Sequence, residues 1–187
     1  MIGGIVAETL EGVRDASRHD RFLRLITHYE PALRRLAGAY LERTSDREDL
    51  VQDIALALWK AIPAFRGDSS ERTWLYRIAH NVAITSAVKT IRRGKREERI
   101  SDAFEHPSSA PDTEHELLSE EKRRLLFDSI RSLPTVDRQL VVLHLEGLSY
   151  TEIERVTGLS QSAIATRLSR IRGRLRGEIQ SREAEPR

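Results

Sequence analysis

The stretch SYTEIERVTGLSQSAIATRLSRIRGRLR, residues 149–176, predicts two short helices joined by a tight turn. Ser149 followed three residues later by Glu152 is the capping-box pattern that starts a helix, here predicted over Thr151–Val156. Gly158 can adopt the left-handed conformation that ends a helix without steric cost. Two helices separated by one glycine turn are the pattern of a helix-turn-helix.

The second of these helices has one apolar stripe and one polar face. Ser160 can cap it, and its apolar residues Ile164, Leu168, Ile171 and Leu175 recur at spacings of four, three and four. Small outward residues followed by arginines favour duplex DNA, because the start of the helix must approach base edges while cations meet phosphates. The alternative is an ordinary surface hairpin with an arginine-rich flank. The outward positions are Ser162, Ala165, Thr166, Arg167, Ser169 and Arg170.

Composition favours an all-α protein of one large or two small domains. The chain has 187 residues, 32% of them charged, with only 10 Gly and 6 Pro. It has no Cys, which excludes disulfides and thiolate metal sites. The sequence shows neither a signal-peptide pattern nor an apolar run of transmembrane length, so we expect a cytoplasmic protein that is not embedded in a membrane.

The net charge of +2 conceals a blockwise separation of charge. Residues 101–121 contain acids and no Lys or Arg, and this segment lies between two basic clusters. Such asymmetry predicts two nucleic-acid surfaces joined by an acidic tether. The basic clusters are Arg92, Arg93, Lys95, Arg96 and Arg99 in one, and Arg167, Arg170, Arg172, Arg174 and Arg176 in the other.

Periodicity and turn-forming residues divide the chain into two helical domains. Pro107, Ser108, Ser109 and Pro111 lie in a segment without periodicity, which predicts a flexible linker. Pro31 predicts a kink or a break in the first long helix. The predicted boundaries are a lead of unassigned role at 1–18, a first domain at 19–93, a linker at 94–113, a helix-turn-helix domain at 114–180 and a tail at 181–187.

The helix that follows Thr44 and Ser45 has acids in its first turn, where the helix dipole favours them. Either hydroxyl can cap this helix. Asp49, Gln52, Asp53 and Lys60 remain outward and suggest a partner-binding face. A magnesium site is a weaker alternative, because no second group of ligands converges on these acids in the sequence.

The next loop and helix combine aromatic, cationic and amide residues. The loop contains Arg66, Gly67, Asp68, Ser69 and Ser70, and either serine can cap the helix. Rings can stack on bases, amides can bind base edges and cations can hold phosphates, so this combination suits the binding of single-stranded nucleic acid. Trp74 as a plain core residue is the alternative, and His80 alone indicates a structural residue. The helix carries Trp74, Tyr76, Arg77 and Asn81.

Together, the blocks at residues 46–84 and 132–176, with the Pro/Ser linker between them, resemble the extracytoplasmic-function (ECF) sigma factors of the bacterial sigma-70 family. The resemblance covers roughly residues 19–178. It implies a dissociable promoter-specificity subunit of RNA polymerase, with no catalytic residue, cofactor, metal or small-molecule substrate. The partners it implies are the clamp helices and flap of core polymerase, promoter DNA as duplex and single strand, and an anti-sigma factor.

The resemblance also implies roles for the outward residues. Asp49, Gln52 and Asp53 would bind the clamp helices. The loop at 66–71 and the helix bearing Trp74, Tyr76, Arg77 and Asn81 would capture and melt the −10 element. The helix-turn-helix would bind the −35 element through the outward residues given above, with Arg167 and Arg174 near phosphates.

The chain departs from the family pattern at three positions. Thr85 and Lys89 stand where many relatives have Asp and Arg, and Ala165 stands where some have Arg. An apolar side chain at 165 suits a thymine methyl group, so the departures concern promoter sequence. The acidic linker would imitate nucleic acid in a basic polymerase channel or be plainly disordered.

Two other classes of function compete with this interpretation. An ordinary helix-turn-helix regulator would bind symmetric duplex sites tightly on its own. A helical enzyme is disfavoured, because the sequence shows no HExxH pair and no nucleophile–base motif.

Overall fold

The computed structural model describes residues 2–97 and 114–184, and these residues form an all-α fold, as predicted. Within these ranges, no helix has the length and apolar character needed to cross a membrane. The helices are α1 (Ile2–Tyr40), α2 (Thr44–Ala61), a short 3-10 helix (Ile62–Ala64), α3 (Glu71–Glu97), α4 (Glu114–Ser132), α5 (Thr135–Leu145), α6 (Tyr150–Thr157) and α7 (Gln161–Ala184).

Helix α1 runs for 39 residues and passes through Pro31 without ending. The break considered for this position is therefore absent, and the lead at 2–18 is part of the same helix. Proline removes one backbone donor, but packing on the adjacent turns holds the helix together: Ala32, Leu33 and Leu36 are buried, whereas Pro31 itself is exposed. Propensity is a weak determinant where burial on both sides favours the helix.

Helix α2 begins differently from the prediction. Its N-cap is Arg43, which makes no side-chain capping bond, and Thr44 lies inside the helix, so the expected capping by Thr44 or Ser45 is wrong. The first turn is instead stabilised by Asp46, which is nearly buried and pairs with Arg93 of α3 at 2.6 Å. This pair ties the start of α2 to the C-terminal part of α3.

The predicted first domain corresponds to α1 to α3, whose buried apolar residues form one continuous hydrophobic cluster with those of α4 to α7. A buried hydrogen bond of 3.0 Å joins Tyr40 Oη and His80 Nδ1 inside this core. Full burial lowers the pKa of His80 from 6.5 to about 3, so the imidazole is neutral in the folded protein. The completely buried apolar residues include Leu33, Leu36, Leu50, Ile54, Leu58, Leu75, Ala79 and Ala83.

The second domain, α4 to α7, begins its described part at Glu114. Pro134 occupies the N-cap of α5, directly after the turn that ends α4. Helix α3 extends to Glu97, so the first residues of the predicted linker are helical, and residues 98–113 lie outside the described residues. The core consists mainly of Ile130, Leu133, Leu140, Leu143, Leu148, Ile153, Ile164, Leu168 and Ile171.

The two domains pack directly on each other. Helix α6 of the second domain lies against α3 of the first, and α4 and α5 contact α1. Arg131 donates to the carbonyl oxygen of Gly38 at 2.8 Å, and the Arg138 guanidinium lies 5.4 Å from the centre of the Tyr40 ring. The structure is therefore a closed arrangement of the two domains.

Candidate nucleic-acid interface

The helix-turn-helix has the caps that its sequence predicts. Ser149 Oγ accepts a hydrogen bond from the Glu152 N–H, and the Glu152 carboxylate accepts one from the Ser149 N–H at 2.9 Å. The bond from the Ser149 N–H, together with one that Ser149 Oγ donates to the same carboxylate at 2.8 Å, holds the pKa of Glu152 below its usual value. Gly158 ends α6 with φ of 75°, and Ser160 Oγ accepts from the Ala163 N–H at 3.4 Å. The capping box fixes where the motif begins.

The apolar stripe of α7 is buried as predicted, which leaves its other face outward. Ile164, Leu168, Ile171 and Leu175 are buried together with Ile153 of α6, while Val156 and Leu159 are half-buried. Ala165 and Arg167 are also half-buried. Four of the predicted −35 residues on the first turns are exposed, namely Ser162, Thr166, Ser169 and Arg170, and so is Arg174 further along.

Arg167 already has an intramolecular partner. Its guanidinium donates to Asp137 Oδ1 at 2.9 Å, which ties the recognition helix α7 to the start of α5. The pair borders a cleft of about 300 Å³ that is also lined by Arg170 and Arg174. Asp137 therefore places a negative charge among the cations that were predicted to meet phosphates.

The loop before α3 ends in a well-formed helix cap. Ser70 Oγ accepts a hydrogen bond from the Thr73 N–H at 3.1 Å. Earlier in the loop, Gly67 has a φ of 82°, a left-handed conformation that favours glycine. Glu71 then pairs with Arg24 at 3.1 Å and with Arg21 at 2.7 Å, which fixes the start of α3 to α1. The hydrogen bonds from Arg24 and then Arg21 lower the pKa of Glu71. Arg66, Gly67, Asp68 and Ser70 are exposed, and Ser69 is half-buried.

Helix α3 divides the predicted −10 residues between two faces. Arg77 and Asn81 are exposed, but Trp74 is 6% and Tyr76 is 1% exposed. The Trp74 ring packs against Phe65 with centroids 4.9 Å apart, and Tyr76 Oη donates to the Glu146 carboxylate at 3.2 Å. In this closed arrangement neither ring is available to stack on a base.

The outer face of α2 is an exposed polar ridge. Asp49, Gln52 and Asp53 are all exposed, at spacings that put them on one side of the helix, opposite the buried Leu50 and Ile54. Leu56 continues this ridge and is 51% exposed. The sequence analysis did not include Leu56 in this surface. Its position three residues after Asp53, outside the buried stripe, would have predicted its exposure.

Glu146 was also missed, since nothing in the local sequence marks it. It lies at the end of α5 and contacts Arg35, Arg72 and Tyr76 of the first domain. Only the packing of the two domains reveals it.

Two family models match the chain, one within helices α1 to α3 and the other within helices α4 to α7. Sigma-70 region 2 matches residues 25–96, and Sigma-70, region 4 matches residues 123–175. ECF RNA polymerase sigma-E factor from Haemophilus influenzae is 32% identical over 163 residues, 83% of this chain and 86% of the relative. The protein of the same name from Escherichia coli K12 is also 32% identical over 163 residues and 85% of its length.

Two solved structures share the fold. CnrH in complex with the cytosolic domain of CnrY aligns with a TM-score of 0.63 at 24% identity, over 87% of this chain and 90% of that one. The sigma factor RpoE in complex with the anti-sigma factor NepR from Bartonella quintana aligns with a TM-score of 0.65 at 23% identity, over 86% and 97%. The chain belongs to the extracytoplasmic-function sigma factors of the sigma-70 family, a family of non-catalytic transcription initiation factors.

Proposed function

We propose that this chain works as a dissociable subunit of RNA polymerase that positions the core enzyme at its promoters. Its α2 ridge would bind the clamp helices of the core, α3 would hold the −10 element as a single strand, and α7 would bind the −35 duplex. The observation that supports this most strongly is that one chain presents three exposed polar surfaces on three separate, well-anchored helices. A chain with these partners would act in the cytoplasm and would catalyse no reaction itself.

The −10 surface would consist of the loop at 66–70 with Arg77 and Asn81. An amide and two cations beside a capped helix can read a base edge and hold the neighbouring phosphates. Trp74 would support this surface from beneath, because it is packed against Phe65. Tyr76 would join the surface only after the two domains separate, because Glu146 now covers it.

The −35 surface would consist of the first turns of α7. Ser162, Thr166 and Ser169 are small or hydroxylated and exposed, so the helix can come close to base edges in the major groove. Arg170 and Arg174 would contact phosphates. Arg167 would do so once it leaves Asp137.

A polymerase-binding assay tests the proposal at α2. Asp49→Lys with Asp53→Lys reverses two charges on the ridge and should weaken binding of the full chain to purified core polymerase about 10- to 100-fold, because charge complementarity would become repulsion. The matched control reverses two exposed acids outside α2, with Asp20→Lys and Glu42→Lys, and should bind as the unmodified chain does. Equal losses in both variants would contradict an α2 interface.

Asp137→Asn tests the assignment of Arg167 on the −35 side. Removing the carboxylate releases the guanidinium, so duplex binding should strengthen severalfold, and the slope of log K against log salt should steepen by about one phosphate contact. Binding is measured by fluorescence anisotropy over a range of salt concentrations. Asp20→Asn changes the net charge equally and should leave the slope unchanged. The same steepening in both variants would show that only net charge matters.

An anti-sigma partner is proposed for this chain as well. The RpoE structure contains the anti-sigma factor NepR, and the fold of that sigma factor covers 86% of this chain. The exposed α2 ridge with Leu56 offers such a partner a mixed polar and apolar surface, which is the same surface that core polymerase would need.

A further inference from the structure

Glu146 makes an unusual set of contacts for a carboxylate at the end of a helix. Its side chain is only 8% exposed, and both carboxylate oxygens accept hydrogen bonds of 2.7 Å from the Arg35 guanidinium. Tyr76 Oη donates to the same group at 3.2 Å, and Arg72 donates to the backbone carbonyl of Glu146. All three partners belong to the first domain, so the residue directly after α5 is bound by both α1 and α3.

The position of Glu146 couples these contacts to the helix-turn-helix. Glu146 is followed by Gly147, whose φ is 75°, and then by the Ser149 cap of α6. The first turn of the DNA-binding motif is therefore held against α3, where Arg72 and Tyr76 lie beside the proposed −10 surface. The hydrogen bonds with Glu146 also raise the pKa of Arg35, which agrees with a tight pair.

The closed arrangement is too compact for both promoter elements. Their names place them about 25 base pairs apart, which is roughly 85 Å along the duplex at ~3.4 Å per base pair. Helices packed in contact, as α3 and α6 are, have axes only about 10 Å apart. A chain in this arrangement cannot hold the −10 and −35 elements at the same time.

We infer that Glu146 is an autoinhibitory latch, which keeps the free chain closed by bridging Arg35, Arg72 and Tyr76 and which must open before the promoter is bound. That the latch inhibits promoter binding rests on the proposed function, but the closed state itself is a property of the free chain. The latch is polar and lies at the edge of the domain interface, since Arg35 is 54% exposed. Such a contact is weak enough to open when core polymerase binds either domain.

Distance measurements on the free chain test the latch directly. The sequence has no Cys, so Ser45→Cys and Ser181→Cys, both at exposed positions in different domains, give two unique labelling sites. Energy transfer between the labels should show mainly one short-distance population. Glu146→Gln should shift the ratio of open to closed molecules about tenfold toward open. This factor corresponds to the lower end of the stabilisation that hydrogen bonds to a charged group provide.

Two further variants keep the test specific. Glu30→Gln removes the same kind of carboxylate–arginine pair within α1, where Glu30 contacts Arg34, and should leave the distances unchanged. Gly38→Leu opens the interface by a different route, because the three atoms nearest to an added Cβ all belong to the Phe127 ring of α4, the closest at 3.4 Å. It should also shift the population toward open molecules.

The results separate the latch from the proposed function. A free chain that is already open, or a Glu146→Gln chain as closed as the Glu30→Gln chain, overturns the latch. Opening should also strengthen binding of the chain with core polymerase to promoter DNA that carries both elements by up to about tenfold, since the closed fraction cannot hold both. Opening without stronger binding would overturn its inhibitory role. If no variant binds the polymerase, the proposed function fails, while the distances still decide the latch.

Discussion

Asn81→Ala should reduce open-complex formation by about 10- to 100-fold while leaving binding to core polymerase intact. The side chain of Asn81 is exposed on α3, and its backbone carbonyl accepts an ordinary hydrogen bond from Thr85 Oγ1, so the amide has no part in the core. Recognition of one unstacked base contributes about 1–3 kcal/mol, which corresponds to this range. Permanganate reactivity of the melted bases measures open complexes, and core affinity is measured separately.

The matched control for this prediction is Thr85→Ala, one turn along the same exposed face. It removes a hydroxyl that is bonded only to the backbone oxygen of Asn81 in the described contacts, so open complexes should form nearly as before. Equal loss of core binding and open-complex formation by Asn81→Ala would show that Asn81 is structural instead of a base contact.

The free energy of unfolding should fall by about 2 kcal/mol between pH 7.5 and pH 5 because of His80. In the folded chain, burial lowers the pKa of His80 from 6.5 to about 3. Between these two values the unfolded chain binds a proton that the folded chain does not. The contribution of His80 to the free energy of unfolding is therefore fully present above pH 6.5 and is lost progressively as the pH falls toward 3. Urea unfolding at several pH values measures it.

His80→Gln isolates this contribution, since glutamine has no charge in this range. The variant will be less stable overall, because it changes a buried residue bonded to Tyr40, but its unfolding free energy should depend less on pH from 7.5 to 5. His28→Gln, at an exposed position, should retain the dependence of the unmodified chain. A His80→Gln chain with an unchanged pH dependence would contradict a neutral, buried His80.

The sequence predicts the helix-turn-helix in detail because its signals are local. Ser149, Glu152 and Gly158 specify a start and an end through bonds within a few residues, and all of them occur as expected. The same holds for the apolar stripe of α7. Where local signals compete with packing, the sequence predicts less well: α1 passes through Pro31, and Arg43 replaces Thr44 at the cap of α2.

In the candidate site, too, some features follow from local sequence patterns and others depend on long-range packing. Exposure of Asp49, Asp53, Arg77 and Asn81 follows from helix periodicity, because the opposite faces carry the buried residues. The burial of Tyr76 and the role of Glu146 depend on residues about 70 positions apart in the sequence, and no periodic pattern encodes such a contact. The site residues themselves remain predictions until binding is measured.

Run-off transcription with purified core polymerase tests the central claim most directly. Core enzyme with this chain should initiate transcripts at defined starts on genomic promoter fragments, and core enzyme alone should not. The isolated chain should bind duplex DNA weakly, because in the closed state it cannot hold both elements. Tight binding of symmetric duplex sites by the isolated chain, with no transcripts when the polymerase is present, would contradict the account and favour an ordinary helix-turn-helix regulator.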